Sequence, residues 1–151
     1  MTNREPARSR EQRKQDVLDH LEKDTDAWVS TASAEGVPTL VPLSFVWDRE
    51  TLLMATRRTN PTAVNVTPDG QARIALGPTR DVVLIEATAE LIEGADLSAE
   101  SGDAFASKLG WDLRGRSAWV YLRFTPYAVR AWREENELAG RELMADGRWL
   151  V

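Results

Sequence analysis

The sequence predicts a mainly β fold with a few helices (α+β), an antiparallel barrel of about six to seven strands. Three observations point there. After one N-terminal helical segment, the apolar residues of the next hundred positions recur at a period of two rather than at helical spacing. Seven strand-like runs follow one another with only short helical interruptions. The longest runs carry Pro38, Pro42 and Pro126, which bend strands as the corners of a closed barrel require.

The elements follow in order. Residues 1–9 read as a loosely attached arm. Ser9 is the expected N-cap of a helix reaching about Lys23, with Gln12 as its capping-box partner. Val17, Leu18 and Leu21 give that helix a narrow apolar stripe. Trp28 to Ser33 is a first strand, Ala34-Glu35-Gly36 a tight turn, and Val37 to Trp47 the second strand of a hairpin. Pro38 and Pro42 cannot donate to a ladder, so this strand must lie at an edge or carry a bulge. Trp47 to Glu50 turns the chain into a third strand, Thr51 to Thr56. Asn60-Pro61 then opens a short helix to about Val66, which Pro68-Asp69-Gly70 ends. Ala72, Ile74 and Leu76 mark the fourth strand, and Gly77-Pro78-Thr79 the next turn. The fifth strand, Val82 to Ile92, has Val83, Ile85, Ala87, Ala89 and Leu91 on its apolar face. Ser98 caps a helical insert that carries Phe105 and Leu109 and stops at Gly110. Two closing strands flank Thr125-Pro126, from Ala118 to Thr125 and from Tyr127 to Arg133. Residues 134–151 read as a polar tail with Leu143, Met144, Trp149 and Leu150 as anchors.

Composition bounds the function. The 151 residues suit a single domain able to bury roughly two-thirds of its unfolded surface. Hydrophobic residues make up 42% and charged residues 28%, ordinary for a soluble globular protein. No apolar run approaches the ~20 residues of a membrane span, and the first residues are polar rather than signal-like. The expected location is therefore cytoplasmic, with no membrane partner. With no Cys, disulfides, thiolate chemistry and cysteine metal sites are excluded. A net charge of −5 argues against nucleic acid, which calls for a basic surface. Arg4, Arg8, Arg10, Arg13 and Lys14 do cluster, but Glu5, Glu11 and Asp16 interrupt them, as on a solvated helix face. The one histidine, His20, lies among helix formers with no nucleophile motif to serve, and reads as an exposed helix residue.

The most informative segment is Ala55-Thr56-Arg57-Arg58-Thr59-Asn60-Pro61-Thr62. It passes from a strand end, through hydroxyls and two guanidiniums, into a helix start. Unpaired N–H donors, arginine forks and threonine hydroxyls make a local recipe for one phosphate group. The alternative is an ordinary strand-to-helix turn with surface arginines. The segment lacks the glycines of a P-loop.

Four pieces of sequence resemble the pyridoxamine 5'-phosphate oxidase-like superfamily of flavin-binding split β-barrels. Trp28-Val29-Ser30-Thr31, Gly36-Val37-Pro38 and Val41-Pro42-Leu43-Ser44-Phe45 resemble its opening hairpin. Ala55 to Thr59 leading into Pro61 to Val66 is similar to its phosphate-binding step. Gly77 to Ala89 resembles its next hairpin, and Phe124 to Trp132 its closing strands; together they cover roughly residues 14 to 135. The resemblance implies a homodimer with two cofactors, FMN or the deazaflavin coenzyme F-420, in clefts between subunits. It implies that Thr56, Arg57, Arg58, Thr59 and Thr62 lie at the phosphate and that Val41, Pro42, Leu43 and Ser44 line the ring. Trp132 and Arg133 of the closing strand would approach from the partner subunit. Many members place Lys or Arg where this chain has Thr62, and Arg57 and Arg58 are the available substitutes.

Beyond the resemblance, Arg80 is a candidate for an anionic substrate or for charge on a ring, against a salt bridge as the alternative. Trp132 suits ring stacking, with a core or interface role as the alternative. No residue is obliged to act as acid or base, since hydride chemistry belongs to such a cofactor. The expected function is hydride transfer to or from a small conjugated substrate. The alternative is a cofactor-binding or sequestering protein without turnover.

Overall fold

The computed structural model describes residues 5–67 and 70–151. Six strands form the barrel: β1 (Asp26–Ala32), β2 (Pro38–Asp48), β3 (Thr51–Arg57), β4 (Gln71–Leu76), β5 (Val82–Ile92) and β6 (Trp119–Trp132). They pair antiparallel in the order β3-β2-β1-β4-β5-β6, and β3 pairs back onto β6 to close the ring. Two further strands, β7 (Glu142–Ala145) and β8 (Arg148–Trp149), extend the sheet beyond β6. The helices are α1 (Arg10–Lys23), α2 (Pro61–Asn65) and α3 (Ala99–Leu109). Among the described residues no helix is long and apolar enough to cross a membrane.

The barrel is split because two of its strands change neighbours. β2 pairs with β1 through residues 38–44 but with β3 only from Phe45 to Asp48. β6 pairs with β3 up to Phe124, and its far end pairs with β7. Hydrogen bonds from Phe45 N to Thr25 O and from Ser33 N to Val37 O fix the ladder phase. Pro38, Leu40, Pro42 and Ser44 therefore occupy the non-hydrogen-bonded pairs with β1, and their backbone groups point to the open side. That is why two prolines are tolerated in this strand.

Val29, Phe45, Leu52, Met54, Ile74, Ile85, Leu122 and Phe124 fill the interior. A second core lies outside the barrel wall, where Phe105 of α3, with Leu97 before that helix and Leu113 after it, covers Val46, Leu53, Ala55 and Tyr121. β3 is thus buried on both faces, as its unbroken Leu52-Leu53-Met54-Ala55 run suits. Arg123 ties the insert down, donating from Nη1 to Asp48 Oδ2 (3.1 Å) and from Nη2 to Ser101 Oγ (3.0 Å). Ser101 Oγ itself donates to Asp48 at 2.6 Å.

Several expectations need correction. The closing strands are one continuous 14-residue strand, in which the register shift opposite Glu86 and Ala87 leaves Tyr127 as the extra residue beside Pro126. The bulge absorbs the bend, so the strand need not break. Residues 142–149 are a hairpin rather than a tail, turning on Asp146 (φ 51°) and Gly147 (φ 74°). Gln12 N donates to Ser9 Oγ, but the Gln12 side chain goes to Asp16, so the capping box is only half made. Within the arm, Arg8 is tied to Glu137 and Asp16. Pro68 and Asp69 of the expected turn lie outside the described residues.

Candidate functional site

The strand-to-helix step forms where β3 leaves the sheet. Arg57, its last residue, faces Trp119 of β6 and lies over that indole, 5.1 Å from the ring centroid. Arg58 is fully engaged: Nη1 and Nη2 meet Glu93 Oε1 and Oε2 at 2.6 and 2.7 Å, and Nη2 also donates to Ser117 O at 3.1 Å. The paired carboxylate raises the Arg58 pKa above the usual guanidinium value, and the guanidinium holds Glu93 below the ordinary carboxylate range. Thr59 is exposed, whereas Thr56 and Thr62 are buried. Thr56 Oγ1 accepts from Asn60 Nδ2 at 2.8 Å, so Asn60 braces the step instead of capping α2 with its side chain. Only five residues long, α2 has little dipole to offer; it packs across β1, β2 and β3.

The second component is the open edge of β2. Carrying the Phe45↔Met54 register onward would set Ser44 against Ala55 and Pro42 against Arg57, but pairing stops at Phe45. The gap leaves the outward backbone groups of residues 38–44 beside the step. Leu43 packs against the core, and Ser44 Oγ donates to Asp26 Oδ1 at 2.7 Å. Val41 is half-buried and Pro42 exposed. The outer face of this hairpin is apolar: Trp28, 51% exposed, sits opposite Pro42, and Leu40, 62% exposed, opposite Ser30.

The fold brings these two components together and leaves the third apart. Arg80, Trp132 and Arg133 line a shallow cavity of ≈ 350 Å³ with Thr79 and Glu134. Trp132 lies thirteen residues along β6 from Trp119, up to about 40 Å of strand at roughly 3.3 Å per residue. Arg80, Trp132 and Arg133 line a different cavity from the one beside the step. Arg80 pairs with Glu134 at 3.2 Å, and Arg133 Nε with Asp81 at 3.3 Å. The salt-bridge alternative weighed for Arg80 is the observed contact.

Residues that sequence reasoning passed over also belong here. Arg141 lies over the Trp132 ring, 6.0 Å from its centroid; a Trp and an Arg nine residues apart carry no pattern that announces this. Glu93, the residue after β5 and 35 positions from Arg58 in the sequence, reaches it because β5 ends beside the step. His20 is half-buried rather than exposed, with Nδ1 2.9 Å from Asp24 Oδ2.

Comparison with known proteins bears on the family and the fold. The family described as pyridoxamine 5'-phosphate oxidase matches residues 14–133. No curated protein sequence matches the chain. Among solved structures, the chain is similar to a putative pyridoxamine 5'-phosphate oxidase from Listeria innocua, with 15% identity over 80% of this chain and 98% of that one and a TM-score of 0.62. It is similar to an F420 reductase, with 14% identity over 74% and 93% of the two chains and a TM-score of 0.57. It is also similar to HutZ, a heme storage protein of Vibrio cholerae, with 13% identity over 89% and 98% and a TM-score of 0.63. At these identities the structural likeness speaks for the fold.

Proposed function

The chain belongs to the pyridoxamine 5'-phosphate oxidase family, and from that premise we propose that it is a homodimeric oxidoreductase binding FMN or the deazaflavin coenzyme F-420. The observation that carries the reading is the free edge of β2 opening onto the Arg57–Thr59 step. Outward N–H and C=O groups of Leu40 and Ser44 suit the polar rim of a planar ring, and exposed Arg57 and Thr59 suit its phosphate. Pro42 offers apolar contact between them. When bound, such a ring supplies the hydride chemistry. The chain's own residues orient it, neutralise its phosphate and exclude water with the partner's surface.

Two features support the dimer. Trp28, Leu40 and Pro42 form an exposed apolar face, the kind of surface a partner covers. Trp132 and Arg133 line a cavity separate from the step of their own chain, which supports a site that a two-fold partner completes. Non-catalytic binding is the second reading, favoured by the closed Arg58–Glu93 pair and by Thr62 in place of a cation.

The test is a titration of the purified protein with FMN and with the deazaflavin coenzyme, followed by quenching of its six tryptophans. Micromolar or tighter binding that Arg57→Ala with Arg58→Ala abolishes is expected. Absence of binding to either ligand refutes the reading. Turnover with the reduced cofactor and conjugated acceptors separates the enzyme from the carrier.

A further inference from the structure

The charge at the step is lower than its two arginines suggest. Glu93 closes the Arg58 fork through two short contacts, 2.6 and 2.7 Å. Arg57 has only the Trp119 ring against it and no carboxylate among the described residues. Two guanidiniums and one carboxylate leave one net positive charge. A phosphate monoester carries about −1.5 to −2 at pH 7, because its second pKa is near 6. A phosphodiester phosphorus carries one negative charge. The step is therefore matched to the diester, and the extra charge of a monoester would be set against Glu93.

A second observation agrees. Next to the step lies a cavity of ≈ 290 Å³, lined by Arg58, Glu93, Arg114, Arg116 and Trp119. Arg114 is occupied by Asp112 and Asp103, but Arg116 has no ion-pair partner among the described residues. The cavity thus presents an unpaired guanidinium and an indole, a combination that takes an anionic or aromatic group. A diester has such a substituent beyond its phosphorus; a monoester ends there.

Resting on the flavin-type reading above, we propose that this site selects a ligand joined through a phosphodiester. Glu93 is the residue that disfavours the monoester, and the Arg116–Trp119 cavity holds the group beyond the phosphorus. FMN is then the poorer ligand.

The experiment titrates the full chain and two variants, Glu93→Gln and Arg116→Ala, with FMN, with FAD and with the deazaflavin coenzyme. In the deazaflavin coenzyme the link is one phosphodiester; in FAD it is a diphosphate, in which each of the two phosphorus atoms is substituted on both sides and carries one negative charge. Wild type is expected to bind at least one diester ligand about tenfold more tightly than FMN, the effect of about one extra charge held roughly 6 Å away in a partly screened site. Glu93→Gln tightens FMN by about tenfold and changes the diester ligands little. Arg116→Ala weakens the preferred diester ligand and leaves FMN unchanged. Glu93→Ala, which frees the same fork, guards against an effect peculiar to the amide. Equal affinity of wild type for FMN and both diester ligands, or no change for FMN in either Glu93 variant, overturns the selection while leaving the flavin-type reading standing. Failure of every ligand to bind every protein overturns both.

Discussion

Glu137→Gln tests how the N-terminal segment is held. Glu137 is 2% exposed and accepts four hydrogen bonds: from Arg8 N (2.8 Å), Nε (3.0 Å) and Nη2 (2.8 Å), and from Arg133 N (2.8 Å). The Arg8 hydrogen bonds outweigh burial and hold its carboxyl down to about 2, from an ordinary 4.5. At ~1.4 kcal/mol per pH unit, that difference stabilises the fold by about 3 kcal/mol at neutral pH. Because the folded value is the lower one, the stabilisation is complete above pH 4.5 and disappears as the pH falls toward 2. Glu137→Gln keeps the shape and removes the charge, and is expected to cost about 3 kcal/mol at pH 7, or roughly 6–12 °C in Tm for a chain of this size. Urea unfolding followed by circular dichroism from pH 7 to 2.5 measures both effects. The wild-type curve should fall more steeply than the variant's below pH 4.5, the difference cancelling the carboxylates common to both. Parallel curves, or a loss under about 1 kcal/mol at pH 7, would refute the linkage argument.

Three other outcomes are expected. A Cβ at Gly70 would run into the backbone carbonyl oxygen of Val66, which cannot swing aside, so Gly70→Ala should cost about 3 kcal/mol in chemical denaturation. Phe105 is fully buried and packs edge-on to Tyr121 at 5.3 Å; Phe105→Ala should cost about 3–5 kcal/mol and expose the outer wall of β3 to a hydrophobic dye. Trp28→Glu places a charge in the apolar face proposed to bury against a second copy. It should give a folded monomer by sedimentation that has lost ligand binding.

Much of the fold was legible because strand alternation and cap residues act locally. Ser9, Ser98 and Gly110 do what their types suggest, and Ala72, Ile74 and Leu76 face the core as their spacing requires. The prolines of β2 marked the open edge correctly, since a missing N–H has only one kind of neighbour. The hairpin of residues 142–149 carries one strong local signal, the Asp146-Gly147 turn. Its strands, four and two residues long, are too short to show alternation. The site was less legible because its electrostatics depend on distant pairs. Arg58 and Glu93 are 35 residues apart, and nothing local indicates that one guanidinium of the step is already neutralised. Burial of Thr62 against the barrel is likewise a consequence of how α2 docks.

The most direct test of the central claim is complementation between two binding-dead variants. One protomer carries Arg57→Ala with Arg58→Ala, the other Trp132→Leu with Arg133→Ala; each homodimer then lacks half of every site. Refolding the two together in equal amounts gives mixed dimers with one intact site each, so ligand stoichiometry should recover to about one quarter of wild type under random pairing. No recovery in the mixture, or wild-type stoichiometry in the Trp132→Leu/Arg133→Ala homodimer alone, would contradict a cofactor site shared between two copies of the chain.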